Sequence, residues 1–211
     1  NVAVNVNALG ARAFLVGAVG ADPEGDSLRR GLAERGVATE GLVEVPGRPT
    51  TRKTRLIARG SQLMRVDRET HEPVGSVTAR EIYRRIASSK ADVVVISDYA
   101  KGVVGPDLVR ELIAQGRKVI VDPKSSDFGR YANSFLVTPN LGELRAATGR
   151  PDLGPENLEV PARMLMDRFG IANLLVTLGP DGMALIERGK PVLRVLTRAR
   201  EVYDVTGAGD T

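Results

Sequence analysis

The 211-residue sequence contains no cysteine, no tryptophan and a single histidine, and aromatic residues make up only 4% of it. The absence of cysteine excludes a disulfide framework and any metal site with thiolate ligands. No apolar run approaches the length of a membrane span, and the first residues lack the regions of a signal peptide. His71 lies in a polar stretch and is expected to be a loop residue. These features are typical of a cytoplasmic protein without a membrane partner.

The charge of the chain is moderately positive, with a net charge of +4 and an isoelectric point near 9.6. The basic residues are scattered among acidic ones, and aromatic residues that could stack on bases are scarce, so we expect no nucleic-acid partner. An anionic small substrate explains the excess charge better. The length and the 42% of hydrophobic residues suffice for one sizeable core. Because the sequence starts at Asn1 and stops at Thr211 inside apparent elements, we expect a segment of a longer protein.

From Ala91 onward, short β-branched runs alternate with helical patterns. Continuous apolar strands separated by helices predict a mostly parallel sheet in an α/β fold. Polar residues follow the strands, and ligands of such sheets bind beyond the carboxyl ends. The predicted strands are Asp92–Ile96, Lys118–Val121, Phe135–Val137 and Asn173–Val176, the predicted helices are Pro106–Gln115 and Leu158–Phe169, and the polar residues are Asp98, Asp122, Lys124, Asn140, Glu143 and Thr177.

Residues 43–67 have a different pattern, with three predicted strands and no helix between them. The strands are Val43–Val45, Thr50–Ala58 and Gln62–Val66. They suggest a small antiparallel sheet that serves as a lid or a dimer contact. Alternation places Lys53 and Arg55 on one face, where they would suit a phosphate. A solvated edge strand protected by charge is the alternative.

The end of the chain, Asp204–Thr211, is a glycine-containing turn followed by an acid. Its backbone N–H groups can converge on an anion, and Asp210 stands where a base could take a proton from an attacking hydroxyl. An ordinary strand-to-helix turn, with Asp210 only as the helix cap, is the alternative.

Several motifs together resemble the ribokinase-like carbohydrate kinases of the phosphofructokinase-B group. The motifs are Asn1 with Leu9–Ala11, Gly17–Gly25, the Asn140–Glu143 element and Asp204–Asp210. Further segments resemble the bacterial heptose 7-phosphate kinases within that group, namely Gln62–Asp67, Ser97–Gly102, Asp122–Lys124 with Arg130–Tyr131, and Glu201–Asp204. The resemblance implies one truncated kinase domain, with helices on both faces of the sheet and the lid at about 43–67.

The resemblance also implies roles for individual residues. Asp210 would be the catalytic base, and the N–H groups of Gly207, Ala208 and Gly209 would form the anion hole. Asn140 and Glu143 would organise Mg²⁺ and phosphates, and Asp204 and Thr206 would bind a monovalent cation such as K⁺. The expected nucleotide-side residues are Lys124, Thr177, Gly179 and Gly182, and the expected sugar-side residues are Asn1, Lys53, Arg55, Gln62 and Asp98.

Some of these residues also have purely structural interpretations. Asn140 could be a turn residue and Glu143 an exposed helix acid, while Asp98 could cap the following turn. Gly179 and Gly182 could serve turn geometry alone. Val2, Val4 and Val6 alternate as a strand would, whereas the family has a helix there.

The expected activity is ATP-dependent phosphorylation of the anomeric hydroxyl of D-glycero-β-D-manno-heptose 7-phosphate, for ADP-heptose and lipopolysaccharide core synthesis. The alternatives are a kinase for another sugar or sugar phosphate, and a non-catalytic sugar- or nucleotide-binding relative. We expect a homodimer formed through the lid, and a fused adenylyltransferase domain could follow downstream. We expect the 211-residue segment alone to have negligible activity.

Overall fold

The computed structural model describes residues 1–58, 61–105 and 107–197 of the protein. The chain divides into two compact units. The first unit contains residues 1–90 and 101–103, and the described part of the second contains residues 91–100 and 104–197. The chain therefore leaves the second unit briefly after Ala100 and returns to it at Val104.

The first unit begins with helix α1 (Val2–Ala8), followed by strand β1 (Gly17–Val19), helix α2 (Pro23–Ala33) and strand β2 (Leu42–Glu44). Helix α1 agrees with the family expectation. The alternation of Val2, Val4 and Val6, which is typical of a strand, was misleading here. Strands β1 and β2 pair in parallel, with Gly17 opposite Leu42. A small core joins these elements, and it consists of Val19, Leu32, Val37 and Leu42, with Ala3, Val4 and Leu15 packed against it.

The turn between β1 and α2 is tied to the start of the next strand. The Asp22 carboxylate caps α2 by accepting from Gly25 N at 2.9 Å, and it accepts from Thr50 N at 2.8 Å. Gly20 N donates to Thr50 Oγ1 at 2.8 Å. The hydrogen bonds from Thr50, followed by that from Gly25, lower the pKa of Asp22. The Gly17–Gly25 motif thus has a structural role in positioning the strand that follows Thr50.

Strands β3 (Arg52–Ala58) and β4 (Ser61–Arg68) form an antiparallel hairpin of their own, and helix α3 (Ser76–Ser88) follows. The sequence prediction of a three-stranded antiparallel sheet was wrong in one respect. The segment around Val43 pairs in parallel with β1 and is not part of the hairpin, because α2 connects β1 to β2 as in a βαβ unit. The antiparallel sheet predicted at about 43–67 is therefore confined to Arg52–Arg68, and its role as a lid stays a prediction.

The second unit contains a six-stranded sheet in the order β10-β9-β8-β7-β6-β5. Strands β5 to β8 are parallel, as predicted, and β9 and β10, which the sequence analysis did not identify, are antiparallel. The strands are β5 (Val93–Ser97), β6 (Lys118–Asp122), β7 (Leu136–Val137), β8 (Asn173–Thr177), β9 (Met183–Glu187) and β10 (Leu193–Val195), and the helices are α4 (Leu108–Ala114), α5 (Leu141–Thr148) and α6 (Glu159–Phe169). Short 3₁₀ helices span Phe128–Tyr131 and Gly179–Asp181.

The core of the second unit lies between the sheet and its helices. Alternate residues of the central strands are fully buried there, and each helix contributes leucines, so that burial at roughly 0.8 kcal/mol per CH₂ group stabilises the layers. The buried residues include Val119, Val121, Leu174, Val176, Leu112, Leu144 and Leu165. No helix among the described residues combines the length and the apolar composition that a membrane span requires.

Candidate active site

Polar residues of the second unit line the carboxyl edge of its parallel strands. Asp98, just beyond β5, donates from its backbone N to the carbonyl oxygen of Asp122, the last residue of β6, at 3.0 Å. Thr177 N, at the end of β8, donates to Pro139 O at 2.9 Å, directly before Asn140. Parallel pairing therefore brings Asp98, Lys124, Asn140 and Thr177 to one edge, as the sequence pattern predicted. Their roles in binding stay predictions.

Asn140 and Glu143 form a capping box at the start of α5. The Asn140 side chain accepts from Glu143 N at 2.8 Å, and the Glu143 carboxylate accepts from Asn140 N at 2.8 Å. The reciprocal bonds satisfy two of the N–H groups that a helix start leaves without partners. Asn140 is thus a cap as well as a candidate site residue, and the box holds the Glu143 carboxylate at the sheet edge.

Lys124 approaches the same carboxylate from the end of β6. Its Nζ lies 2.9 Å from Glu143 Oε1 and 3.9 Å from Asp122 Oδ1. Burial acts to lower the pKa of Lys124, but the hydrogen bond to Glu143 and the charge of Asp122 outweigh burial and raise the pKa. The edge thus presents a protonated ammonium group that is suited to an anionic ligand.

The turn between β8 and β9 depends on glycine. Gly182 has φ +87°, and an added Cβ would lie 2.0 Å from the carbonyl oxygen of Val195. Leu178 N donates to Gly182 O at 2.8 Å and closes the turn. Gly182 therefore serves turn geometry, and Thr177, which precedes the turn, pairs with Asn140 at the edge.

Asp98 is 2% exposed and is held by partners within its own unit. It accepts from the Tyr131 hydroxyl at 2.8 Å and from Ala100 N at 2.9 Å. The Arg130 guanidinium lies 3.7 Å away. Burial, followed by the hydrogen bond to Asp98, raises the pKa of Tyr131. These contacts explain Asp98 as a buried acceptor that fixes the chain after β5, and a direct contact with a sugar stays a prediction.

The donor set at Glu143 fits a Mg²⁺ ion carried by nucleotide phosphates. No three metal-binding acids or histidines come together in the described chain, so a cage made only of protein ligands is absent there. Each oxygen of Glu143 accepts one bond, and each keeps a second lone pair. Magnesium usually retains several waters and few carboxylates, which matches this arrangement.

The first unit holds four of the sugar-side candidates. Asn1 and Lys53 line one groove of about 550 Å³, together with Thr50, Thr51 and Arg52. Lys53 Nζ lies 2.8 Å from Asp67 and 3.1 Å from Glu69. The remaining two, Arg55 and Gln62, lie exposed on the hairpin. Asp98 belongs to the second unit.

The predicted catalytic segment lies outside the described residues. This applies to the predicted cation ligands, the anion hole and the base, which are Asp204, Thr206, Gly207, Ala208, Gly209 and Asp210. Their roles stay predictions from the sequence.

Sequence reasoning missed three residues of the polar networks, namely Glu69, Lys101 and Tyr131. Lys101 and Tyr131 stood in the segments that carried the family resemblance, but nothing local assigned them contacts. Their partners lie 32 and 33 positions away in the chain. Lys101 could have been suspected as a basic residue shortly after the end of β5.

Solved structures establish the fold class. Escherichia coli phosphofructokinase-2 in complex with potassium is 21% identical over 99% of this chain and 69% of its own, with a TM-score of 0.78. Arabidopsis thaliana ribokinase, complexed with ribose and ATP, gives the same identity, coverage and TM-score. The chain therefore has the ribokinase-like α/β fold, with a mostly parallel sheet.

The family follows from sequence. The family model described as "pfkB family carbohydrate kinase" matches residues 1–211, and the chain belongs to this family of carbohydrate kinases. Curated relatives named bifunctional protein HldE, from Geobacter sulfurreducens and Gluconacetobacter diazotrophicus, are 40% and 44% identical over the whole chain. The chain spans only 44% and 45% of the length of these two relatives.

Proposed function

We propose that the chain is the kinase part of an enzyme that transfers the γ-phosphoryl group of ATP to the anomeric hydroxyl of D-glycero-β-D-manno-heptose 7-phosphate. The product would be the 1,7-bisphosphate, used for ADP-heptose and lipopolysaccharide core synthesis. The main support is the edge of the second unit, where Lys124, the Asn140–Glu143 box and the β8–β9 turn converge. The identity to the HldE relatives over the whole chain supports the heptose substrate.

The edge residues are suited to the phosphates of ATP. Lys124 offers a protonated ammonium group, and the first N–H groups of α5 carry the positive end of the helix dipole. A phosphate that approaches Lys124 replaces part of its interaction with Glu143. Mg²⁺, held by Glu143 partly through water and by the nucleotide phosphates, would neutralise the charge that develops on the transferred group.

Asp210 is the proposed base. It takes the proton of the anomeric hydroxyl, whose oxygen attacks the γ-phosphorus, while the bond to the β-phosphate oxygen breaks and ADP leaves. Backbone N–H groups of residues 207–209 stabilise the charge on the transferred phosphoryl group. Asp204 and Thr206 are the proposed ligands of K⁺. On the sugar side, the proposed contacts are Asn1, Gln62, Asp98 and the cations Lys53 and Arg55.

The proposed partners and location follow the family resemblance. We infer a cytoplasmic homodimer formed through the hairpin, with an adenylyltransferase domain in the full-length protein. One face of the hairpin exposes Leu56, Met64 and Val66, which supports a protein contact there.

The test is a steady-state assay of the full-length protein with ATP and the heptose 7-phosphate, with Asp210→Asn beside the wild type. We expect the variant to retain its fold and ATP affinity and to lose about 10²–10⁴ in kcat, the usual contribution of a positioned base. Asp92→Asn is the matched control, since this exposed acid lies at the amino end of β5, away from the carboxyl edge, and has no proposed chemical role.

The outcomes separate the alternatives. Turnover of other sugars, without turnover of the heptose phosphate, would replace the proposed substrate. Binding of sugar and ATP without any turnover would indicate a non-catalytic relative. Near-normal kcat in Asp210→Asn would remove that residue from the role of base.

A further inference from the structure

A chain of alternating charges in the first unit joins the hairpin to the residues that follow Ala100. The Asp67 carboxylate accepts from Arg65 Nε at 2.8 Å and from Lys53 Nζ at 2.8 Å. The Glu69 carboxylate then bridges two ammonium groups, with Lys53 at 3.1 Å and Lys101 at 2.5 Å. Three cations therefore share two carboxylates, and at one end His71 Nε2 lies 3.2 Å from Lys101 Nζ and 3.3 Å from Glu69 Oε1.

A lysine ammonium group binds a carboxylate and a phosphate through the same kind of charge-assisted hydrogen bond. We name Lys53, Lys101 and Glu69 the lysine clamp. The hydrogen bond from Lys101, followed by that from Lys53, lowers the pKa of Glu69, so the bridging carboxylate is ionised. Each ammonium group has three donors. Lys53 gives one to Asp67 and one to Glu69, while Lys101 gives one to Glu69 and lies 3.2 Å from His71 Nε2. One donor of each ammonium group thus remains for an additional anion.

The backbone of Lys101 is fixed in place. Val74 N donates to Gly102 O at 2.9 Å, and the guanidinium of Arg48 donates to the carbonyls of Lys101 and Glu72. Gly102 has φ +75°, and an added Cβ would lie 2.1 Å from the carbonyl oxygen of Glu72, so only glycine fits there. The Lys101 side chain is nevertheless 24% exposed. A rigid backbone with an accessible ammonium group is what a binding residue requires.

The hairpin adds a second, independent sign of an anion. Arg55 and Arg65 stand directly opposite each other in the β3–β4 pairing, on the same face as Lys53. Like charges directly opposite each other destabilise a strand pair. Among the described residues, no carboxylate lies within 4 Å of the Arg55 guanidinium, although Asp67 pairs with Arg65. A bound anion at this face would relieve the repulsion.

We propose that Lys101 binds the distal phosphate of the sugar substrate together with Lys53, and that Glu69 holds the two ammonium groups at the required spacing. This inference rests on the proposed function and adds a residue that selects phosphorylated sugars. Lys53 also lines the groove of the first unit, so the clamp adjoins a space for the sugar. Arg48 is a positioning residue for Lys101.

The experiment compares Lys101→Met, Lys53→Met and Lys101→Arg with the wild type in the full-length protein. The measured quantity is kcat/KM for heptose 7-phosphate divided by kcat/KM for the same heptose without its phosphate. Loss of one charge-assisted contact predicts a fall of about 10- to 100-fold in this ratio for both methionine variants. Lys101→Arg keeps the charge and should retain most of the ratio. Lys190→Met, at an exposed lysine paired with Glu187, is the matched control and should leave the ratio unchanged.

A merely structural role of Lys101 would lower kcat/KM for both sugars equally and leave the ratio unchanged, which would overturn the inference while the proposed function stands. If the wild type phosphorylates neither sugar, the proposed function fails. Binding of inorganic phosphate then tests the inference about the lysine clamp on its own. A ³¹P titration should then show binding to the wild type that Lys101→Met and Lys53→Met weaken and Lys190→Met does not. Equal binding by all the proteins would overturn the inference in that case as well.

Discussion

Replacing Tyr131 with phenylalanine tests whether Asp98 acts as a buried acceptor at the end of β5. The change removes only the hydroxyl that donates to Asp98 at 2.8 Å, and the ring and its edge-to-face contact with Phe128 remain. A hydrogen bond to a charged group contributes about 1.5–3 kcal/mol. We therefore expect the free energy of unfolding of the second unit to fall by about 2 kcal/mol near neutral pH.

The pH dependence gives a sharper test. Burial and the bond to Asp98 raise the pKa of Tyr131 above its ordinary value of 10.0. Above about pH 10 the unfolded chain loses this proton while the folded protein keeps it, so the folded state binds more protons and stability falls as the pH rises. Below pH 10 the contribution is complete. Phenylalanine has no such proton, so the gap between wild type and variant should narrow above about pH 10, by about 1.4 kcal/mol per unit.

Urea unfolding followed by circular dichroism, at neutral pH and above pH 10, measures both effects. Because the chain has two compact units, the transition of the second unit is compared rather than a single midpoint. Tyr83→Phe, on α3 of the first unit, is the matched control and should leave that transition in place. A loss below about 0.5 kcal/mol at neutral pH, or a gap that is the same at both pH values, would refute the reasoning.

Three further predictions concern the carboxyl edge of the second unit's sheet, the β8–β9 turn and the hairpin. Lys124→Met should raise KM for ATP about tenfold or more, and an equal rise in KM for the sugar would contradict its placement on the nucleotide side. Gly182→Ala should destabilise the second unit by about 1–3 kcal/mol in urea. The loss should exceed that of the control Gly189→Ala, where no atom lies within 4 Å of an added Cβ. Equal losses would show that the chain around Val195 shifts to make room for the new methyl group. Leu56→Glu should convert the inferred dimer to a monomer by light scattering, and a persistent dimer would place the interface elsewhere.

Local sequence pattern was enough to predict the strands that form the carboxyl edge of the second unit's sheet. Strands β5, β6, β7 and β8 were predicted within one or two residues, because β-branched runs between helices encode buried parallel strands. Parallel strands end at the same edge of a sheet, so Lys124 and Asn140 could be assigned to one edge from the sequence alone. Glu143, three residues after Asn140, also has the spacing of a capping box.

Other features depend on partners that local pattern does not encode. The sequence around Val43 indicates a strand, but only the tertiary structure shows that it pairs in parallel with β1 rather than with the hairpin. Strands β9 and β10 were not predicted. They pair antiparallel to their neighbours and follow the tight turn at Gly182.

By itself, the sequence determined the α/β class, the carboxyl edge and the kinase family, because periodicity and short motifs are local properties of the chain. Only the tertiary structure decided that Asp98 is buried against Tyr131 and that Lys101 shares Glu69 with Lys53. Asp98 and Tyr131 are 33 positions apart, Glu69 and Lys101 are 32 apart, and Lys53 lies 16 positions from Glu69. The physical reason is that such contacts form when packed layers bring distant segments together, and the residue types at either end are compatible with many other partners.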